Sequence, residues 1–219
     1  MNDEILKEIE KLEELEKYEE IINIIENLQA EQLNTEIIEG LARAYANIQK
    51  YEKAIEILKS IEYEGKNSVD WNYTIGYSYY YSKDYKNSEK YFLRALELDE
   101  TDNDIKNALL NVYLELSAQT INESIENQDK AIEYALKSEK YIITNDDKIR
   151  VSSCLAWVYK EIEDFNTAEK FLKNTIDLGR DDIPVNSELG HCLEQLTRFE
   201  EALEYYKKAM KLGRKDQWI

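Results

Sequence analysis

The sequence predicts an all-α protein, a solenoid of stacked antiparallel helix pairs. Three observations carry that expectation: helix breakers are scarce, apolar residues recur at helical spacing, and one residue pattern returns displaced by 34 positions.

The first observation is compositional. The 219 residues include one proline and six glycines, with abundant Glu, Lys, Leu, Ile and Ala. Straight-chain and small side chains lose little freedom in a helix, whereas an internal glycine or proline costs about 1 or 3 kcal/mol. Hydrophobic residues make up 43% and charged residues 34%, which suits a folded chain with a substantial core rather than a disordered one. There is no run of about 18 apolar residues suited to crossing a membrane. Residues 1–7 lack the basic and then apolar order of a signal peptide, so the cytoplasm is the expected location. Abundant Asn, Ile, Lys and Tyr fit an AT-rich bacterial genome.

The second and third observations come together in one frame. Leu41, Ala42 and Tyr45, then Tyr51, Ala54 and Leu58, are matched 34 positions on by Ile75, Gly76 and Tyr79, then Tyr85, Ser88 and Phe92. The frame returns as Leu155, Ala156, Tyr159, Phe165, Ala168 and Leu172. It returns again, 34 later, as Leu189, Gly190, Leu193, Phe199, Ala202 and Tyr206. Within each half the spacing of three and four is that of an amphipathic helix. The small residue (Ala42, Gly76, Ala156, Gly190) lets two helices approach. The aromatic (Tyr51, Tyr85, Phe165, Phe199) is expected at the bend, and the second small residue (Ala54, Ser88, Ala168, Ala202) at the crossing. Gly179 and Gly213 follow helices and suit left-handed C-caps. A hairpin of this kind has an apolar face that it cannot bury alone, so neighbours must stack.

This frame resembles the tetratricopeptide repeat, W-x-x-L-G-x-x-Y followed by A, F and A at fixed spacing. The resemblance covers nearly the whole chain and implies a right-handed superhelical solenoid of about six units. They are expected at 1–34, 35–68, 69–102, 103–148, 149–182 and 183–216. In the fourth, Leu110 stands where a small residue belongs. Its second helix, from Ala131 to Ser138, arrives nine residues late, which places an insertion at 116–130. Residues 212–216 echo 178–182, so a further unit is expected to start at 217–219.

Charge narrows the partners. The net charge of −18 opposes nucleic acid, which needs clustered Lys and Arg. Residues 1–34 hold eleven acids against three lysines, whereas residues 183–219 hold six of each sign. The acidic end is expected to repel acidic partners and steer basic ones. Cys154 and Cys192 have no metal-ligand spacing. His191 adjoins Cys192, but helix neighbours point about 100° apart, which makes a poor nucleophilic pair. Carboxylates interleave with lysines as solvated faces do, and there is no glycine-rich phosphate loop. No catalytic residue, cofactor, metal, nucleic acid or membrane is expected.

In the family, the first helix of each unit lines a concave face that holds peptides. The resemblance implies that the second, fifth, ninth, twelfth and thirteenth positions of each unit point inward. The ninth positions hold Arg43, Tyr77, Asn111, Trp157 and His191; the fifth hold Glu39, Tyr73, Asn107, Ser153 and Ser187. Tyr80 and Tyr81 add aromatics in the third unit. The implied peptide-binding residues are Arg43, Tyr73, Tyr77, Tyr81, Asn107, Asn111, Trp157 and His191. Tyr79, Tyr85 and Tyr113 are expected inside the stack. Chaperone-binding members grip a carboxylate with Lys and Asn, where this chain has Glu39, Arg43, Tyr73 and Tyr77. A basic or aromatic-rich peptide therefore fits better. The implied function is a protein–protein interaction scaffold or adaptor and not an enzyme. The alternatives are a regulatory sensor of a short signalling peptide, or a self-assembling fragment of a longer repeat protein. A monomer or a weak homodimer through the C-terminal end is expected.

Overall fold

A computed structural model describes residues 2–215, and among them are thirteen α-helices, three short 3-10 turns and no strand. The chain divides into two compact lobes, Met1–Val112 and Tyr113–Ile219. The first lobe holds α1 (Asn2–Glu14), α2 (Tyr18–Glu26), α3 (Thr35–Asn47), α4 (Tyr51–Ser60), the single turn α5 (Glu62–Gly65), α6 (Val69–Tyr81) and α7 (Tyr85–Leu98). Helix α8 (Asn103–Glu123) starts in the first lobe and ends in the second. The second continues with α9 (Gln128–Ser138), α10 (Asn145–Glu161), α11 (Phe165–Asp177), α12 (Ile183–Gln195) and α13 (Phe199–Lys215).

Helices pair as the repeat demands. In the first lobe α3 packs on α4 and α6 on α7, while α2 covers α3 and α4 covers α6. Helices α1, α3 and α6 also touch in succession and so share one face. In the second lobe the pairs are α10 with α11 and α12 with α13, and α11 packs on α12.

Local chemistry sets the helix starts. The side chains of Asn34, Ser68 and Asp102 accept the backbone N–H three residues on, capping α3, α6 and α8. They are spaced by 34, so the cap belongs to the repeat. Thr144 and Asp147 form a reciprocal capping box at α10, and Asp182 caps α12.

The bend inside each pair is also repeated. After α3, Lys50 N–H donates to the Tyr45 carbonyl and Gln49 N–H to that of Ala46, a Schellman motif. It needs a left-handed residue, and Gln49 has φ 63°. Glu16, Lys83, Glu163 and Thr197 hold the same place with φ between 55° and 62°. Each stands two residues before the aromatic that opens the next helix. Among the described residues the only glycine with positive φ is Gly179, at 109°, the C-cap its position suggests. Gly213 differs: it lies inside α13, because the helix runs on to Lys215 instead of ending there.

The small residues sit where helices cross. A Cβ on Gly76 would stand 3.0 Å from the ring of Phe92, and one on Gly190 2.8 Å from that of Tyr206. Ser88 Oγ spans the first crossing, donating to the Gly76 carbonyl at 2.9 Å. Ala42, Ala54, Ala156, Ala168 and Ala202 are buried at the matching positions. Tyr79 and Tyr113 are buried, whereas Tyr85 is half-buried and Phe199 is exposed.

Residues 116–130 are largely helical. They finish α8, pass through the 3-10 turn Ile125–Asn127 and open α9. Ser117 Oγ donates to the Ala131 carbonyl at 2.7 Å, and Leu116, Thr120 and Ile121 are buried. The further unit expected at 217–219 lies outside the described residues.

Candidate peptide-binding face

Helix α6 reads VDWNYTIGYSYYY and carries aromatics on two sides. Trp71, Ile75 and Tyr79 form the buried side, packed with Tyr45, Leu58 and Tyr91. The indole N–H of Trp71 donates to the Leu58 carbonyl at 3.0 Å. The other side is the stripe Tyr73, Tyr77 and Tyr81, spaced by four residues and so stacked along the helix. Tyr73 and Tyr77 are half-buried, and Tyr81 keeps 48% of its surface in solvent.

The stripe is one connected aromatic array. Ring centroids are 6.5 Å apart between Tyr73 and Tyr77 and 4.6 Å between Tyr77 and Tyr81. Tyr51, from the start of α4, stacks on Tyr81 at 5.3 Å, and Tyr80 meets Tyr81 edge-on at 5.2 Å. Phe92 of α7 supports Tyr73 at 5.4 Å. Such contacts fix ring positions at about 0.5–1.5 kcal/mol each beyond area burial.

A cleft opens on either side of the stripe. One, of 210 Å³, lies between α6 and the start of α8, lined by Tyr73, Tyr77, Tyr81, Asp104, Asn107 and Asn111. The other, of 150 Å³, lies towards α3, lined by Arg43, Asn47, Tyr73 and Tyr77. Six of the eight residues implied by the repeat frame therefore converge in the first lobe. Asn47, Tyr51, Asp104 and Phe92 join them. Asp104 is the second residue of its unit and Asn47 the thirteenth, so the inward positions already contain both. Tyr51 sits at the bend as expected but also reaches the stripe, which spacing alone does not reveal.

Burial keeps the Tyr73 and Tyr77 phenols neutral. Burial pushes the Tyr77 phenol well above its usual range, helped by a hydrogen bond to Tyr81. Burial also raises Tyr73, and the carboxylates of Asp104 and Asp102 add to it. These rings thus offer uncharged faces and hydroxyl groups. Arg43 is held at one end, its Nε donating to Glu13 Oε1 at 3.0 Å. Glu39, at a fifth position, is only 8% exposed, and burial raises its carboxyl above the ordinary value.

Trp157 and His191 belong to the second lobe. Trp157 packs against the cluster of Ile121, Ala131 and Val158. His191 is exposed, its ring edge-on to Phe165 at 6.0 Å. Cys192 beside it is fully buried, and burial pushes its thiol up to about 11, the opposite of an activated nucleophile. Among the described residues no cluster of His, Cys, Asp and Glu could hold a metal ion, and no helix is long and apolar enough to cross a membrane.

The tetratricopeptide repeat family model matches residues 69–102 and 184–216. A comparison with curated proteins gives no match. Solved structures of MamA are similar in fold. One crystal structure has a TM-score of 0.60 at 18% identity, covering 83% of this chain and 92% of that one. A double mutant of MamA RS-1 has a TM-score of 0.59 at 18% identity, covering 82% and 94%. MamA from residue 41 to the end, from Desulfovibrio magneticus RS-1, gives 0.53 at 19%, covering 80% and 96%. The matched segments are the helix pairs α6–α7 and α12–α13, so these two pairs match the tetratricopeptide repeat in sequence, and the solved structures share the fold.

Proposed function

We propose that this chain is a protein–protein interaction scaffold that holds a peptide segment of its partner against the face made by α3, α6 and α8. The observation that carries this reading is the tyrosine stripe with an open cleft on each side. Tyrosines combine large contact area with few rotatable bonds and recur at binding hot spots. Arg43 and Asn47 on one flank and Asn107 on the other are placed to bond a peptide backbone. An affinity near micromolar, about −8 kcal/mol, is expected.

Selection from a random-peptide display library tests it. Selected peptides should lose at least tenfold in affinity to Tyr77→Leu and Tyr81→Ala variants that keep the wild-type circular dichroism. They should bind a Lys53→Ala control, changed on the exposed side of α4, as well as wild type. Failure to select any peptide, or equal binding by all variants, sinks the reading.

A second reading is self-association through α13. Phe199, Leu203 and Met210 leave 60%, 51% and 60% of their surface exposed. At spacings of four and seven they share one side of the helix. Light scattering should then give a mass that rises with concentration and falls back in Leu203→Glu. A constant monomer mass rejects it.

A further inference from the structure

The cleft between α6 and α8 has a chemistry more specific than the face around it. At 210 Å³ it is smaller than the roughly 300–1,000 Å³ of most small-molecule sites and is sized for one side chain. Its α6 wall is tyrosine rings, whose faces carry negative potential, and its α8 wall carries the Asp104 carboxylate and the amides of Asn107 and Asn111. Asp104 is exposed and takes part in no ion pair among the described residues. Asp102 stands beside it with its own carboxylate bound to the N–H groups that start α8. Asp104 lines the cleft, and the fields of both carboxylates act on the Tyr73 phenol. Arg43 lies in the other cleft and is engaged by Glu13.

These features select against the simpler occupants. An anion would meet Asp104, Asp102 and a chain of net charge −18. A purely apolar side chain would strip water from a carboxylate and several hydroxyls without compensating them. A planar cation does both jobs: it stacks on an aromatic face and donates in its own plane to a carboxylate.

We propose that this cleft receives one arginine side chain of the partner peptide, its guanidinium lying over the Tyr73–Tyr77–Tyr81 rings and donating to Asp104. The inference rests on the peptide-face reading above and names the residue that the face selects.

The test uses the full chain and small probes. N-acetyl-arginine N-methylamide is titrated into isotopically labelled protein at 150 mM salt and followed by NMR, alongside its neutral citrulline and its glutamate counterparts. The arginine probe should give saturable shifts centred on Tyr73, Tyr77, Tyr81 and Asn107. Citrulline should bind roughly tenfold more weakly, the combined worth of a cation over a ring and one exposed ion pair. Asp104→Asn, an exposed change in the first turn of α8, should weaken arginine roughly threefold and leave citrulline unchanged.

Citrulline binding as well as arginine overturns the proposal, as does better binding of glutamate. Unsaturated shifts scattered over the acidic surface also overturn it. The two readings fail separately. Display peptides that need Tyr77 but lack arginine, with no probe binding, leave the peptide face standing and remove the arginine site. Saturable probe binding with no selectable peptide does the reverse.

Discussion

Glu39 and Glu169 are both 8% exposed, yet their carboxyls move in opposite directions. Burial dominates at Glu39 and raises it, with Arg43 opposing. At Glu169 burial acts the same way but is outweighed by hydrogen bonds from Lys173 at 2.7 Å and Arg198 at 2.6 Å. The consequences for stability therefore differ in sign. Glu39 is penalised once ionised, so Glu39→Gln should stabilise the fold at pH 7. That gain should vanish below the ordinary value of 4.5, where both folded and unfolded carboxyls are protonated. Glu169 contributes stability above its unfolded value and loses it as pH falls through its lowered folded one. Glu169→Gln should cost about 1 kcal/mol at pH 7 and little in acid. Urea unfolding from pH 3 to 7 checks both. Sequence shows only part of this: Lys173 is an i,i+4 neighbour of Glu169, whereas its second partner, Arg198, lies 29 residues away.

The elements are helices joined by one bend used five times, and each bend places a non-glycine residue at positive φ. Thr197 is the worst fitted, since a β-branched residue at φ 59° is a strained outlier. Thr197→Asn keeps the bend with a residue that tolerates it and should add about 0.5–1 kcal/mol, measured by chemical denaturation. At the crossings the opposite holds, because space is already used. Gly76→Val would drive its side chain into Phe92, which is 1% exposed and cannot yield. A loss of about 2 kcal/mol or more is expected, and unaltered stability would show that α6 and α7 can separate at that point. The repeat was legible at this scale because turn and crossing recur with the period of the sequence. The wrong expectation, a cap at Gly213, came from extending that period to a place where α13 continues.

Across the whole molecule the charge is −18 and uneven, so folding concentrates like charges against mutual repulsion. Raising salt from 10 to 150 mM shortens the screening length from about 30 to about 8 Å. The melting temperature followed by circular dichroism should rise with it; a flat or falling curve would mean that the ion pairs outweigh the repulsion. The sequence by itself determined the all-α class and the helix pairs, because composition sets helix formation and a 34-residue period sets pairing. The inward positions implied by the repeat resemblance also marked the tyrosine stripe, Tyr73, Tyr77 and Tyr81. The repeat frame put Tyr79 inside and Tyr73, Tyr77 and Tyr81 on the open face, as the packing has them. Helical period and hydropathy alone do not separate the two aromatic sides of α6. Trp71 and Tyr79 alternate with Tyr73 and Tyr77, and hydropathy ranks them alike. Packing of α4 and α7 then made Tyr51 and Phe92 part of the array, seated Trp157 on a core cluster, and set Asp104 beside Tyr73. Periodicity reports how one helix is sided; what stands across from it is fixed by neighbours distant in sequence.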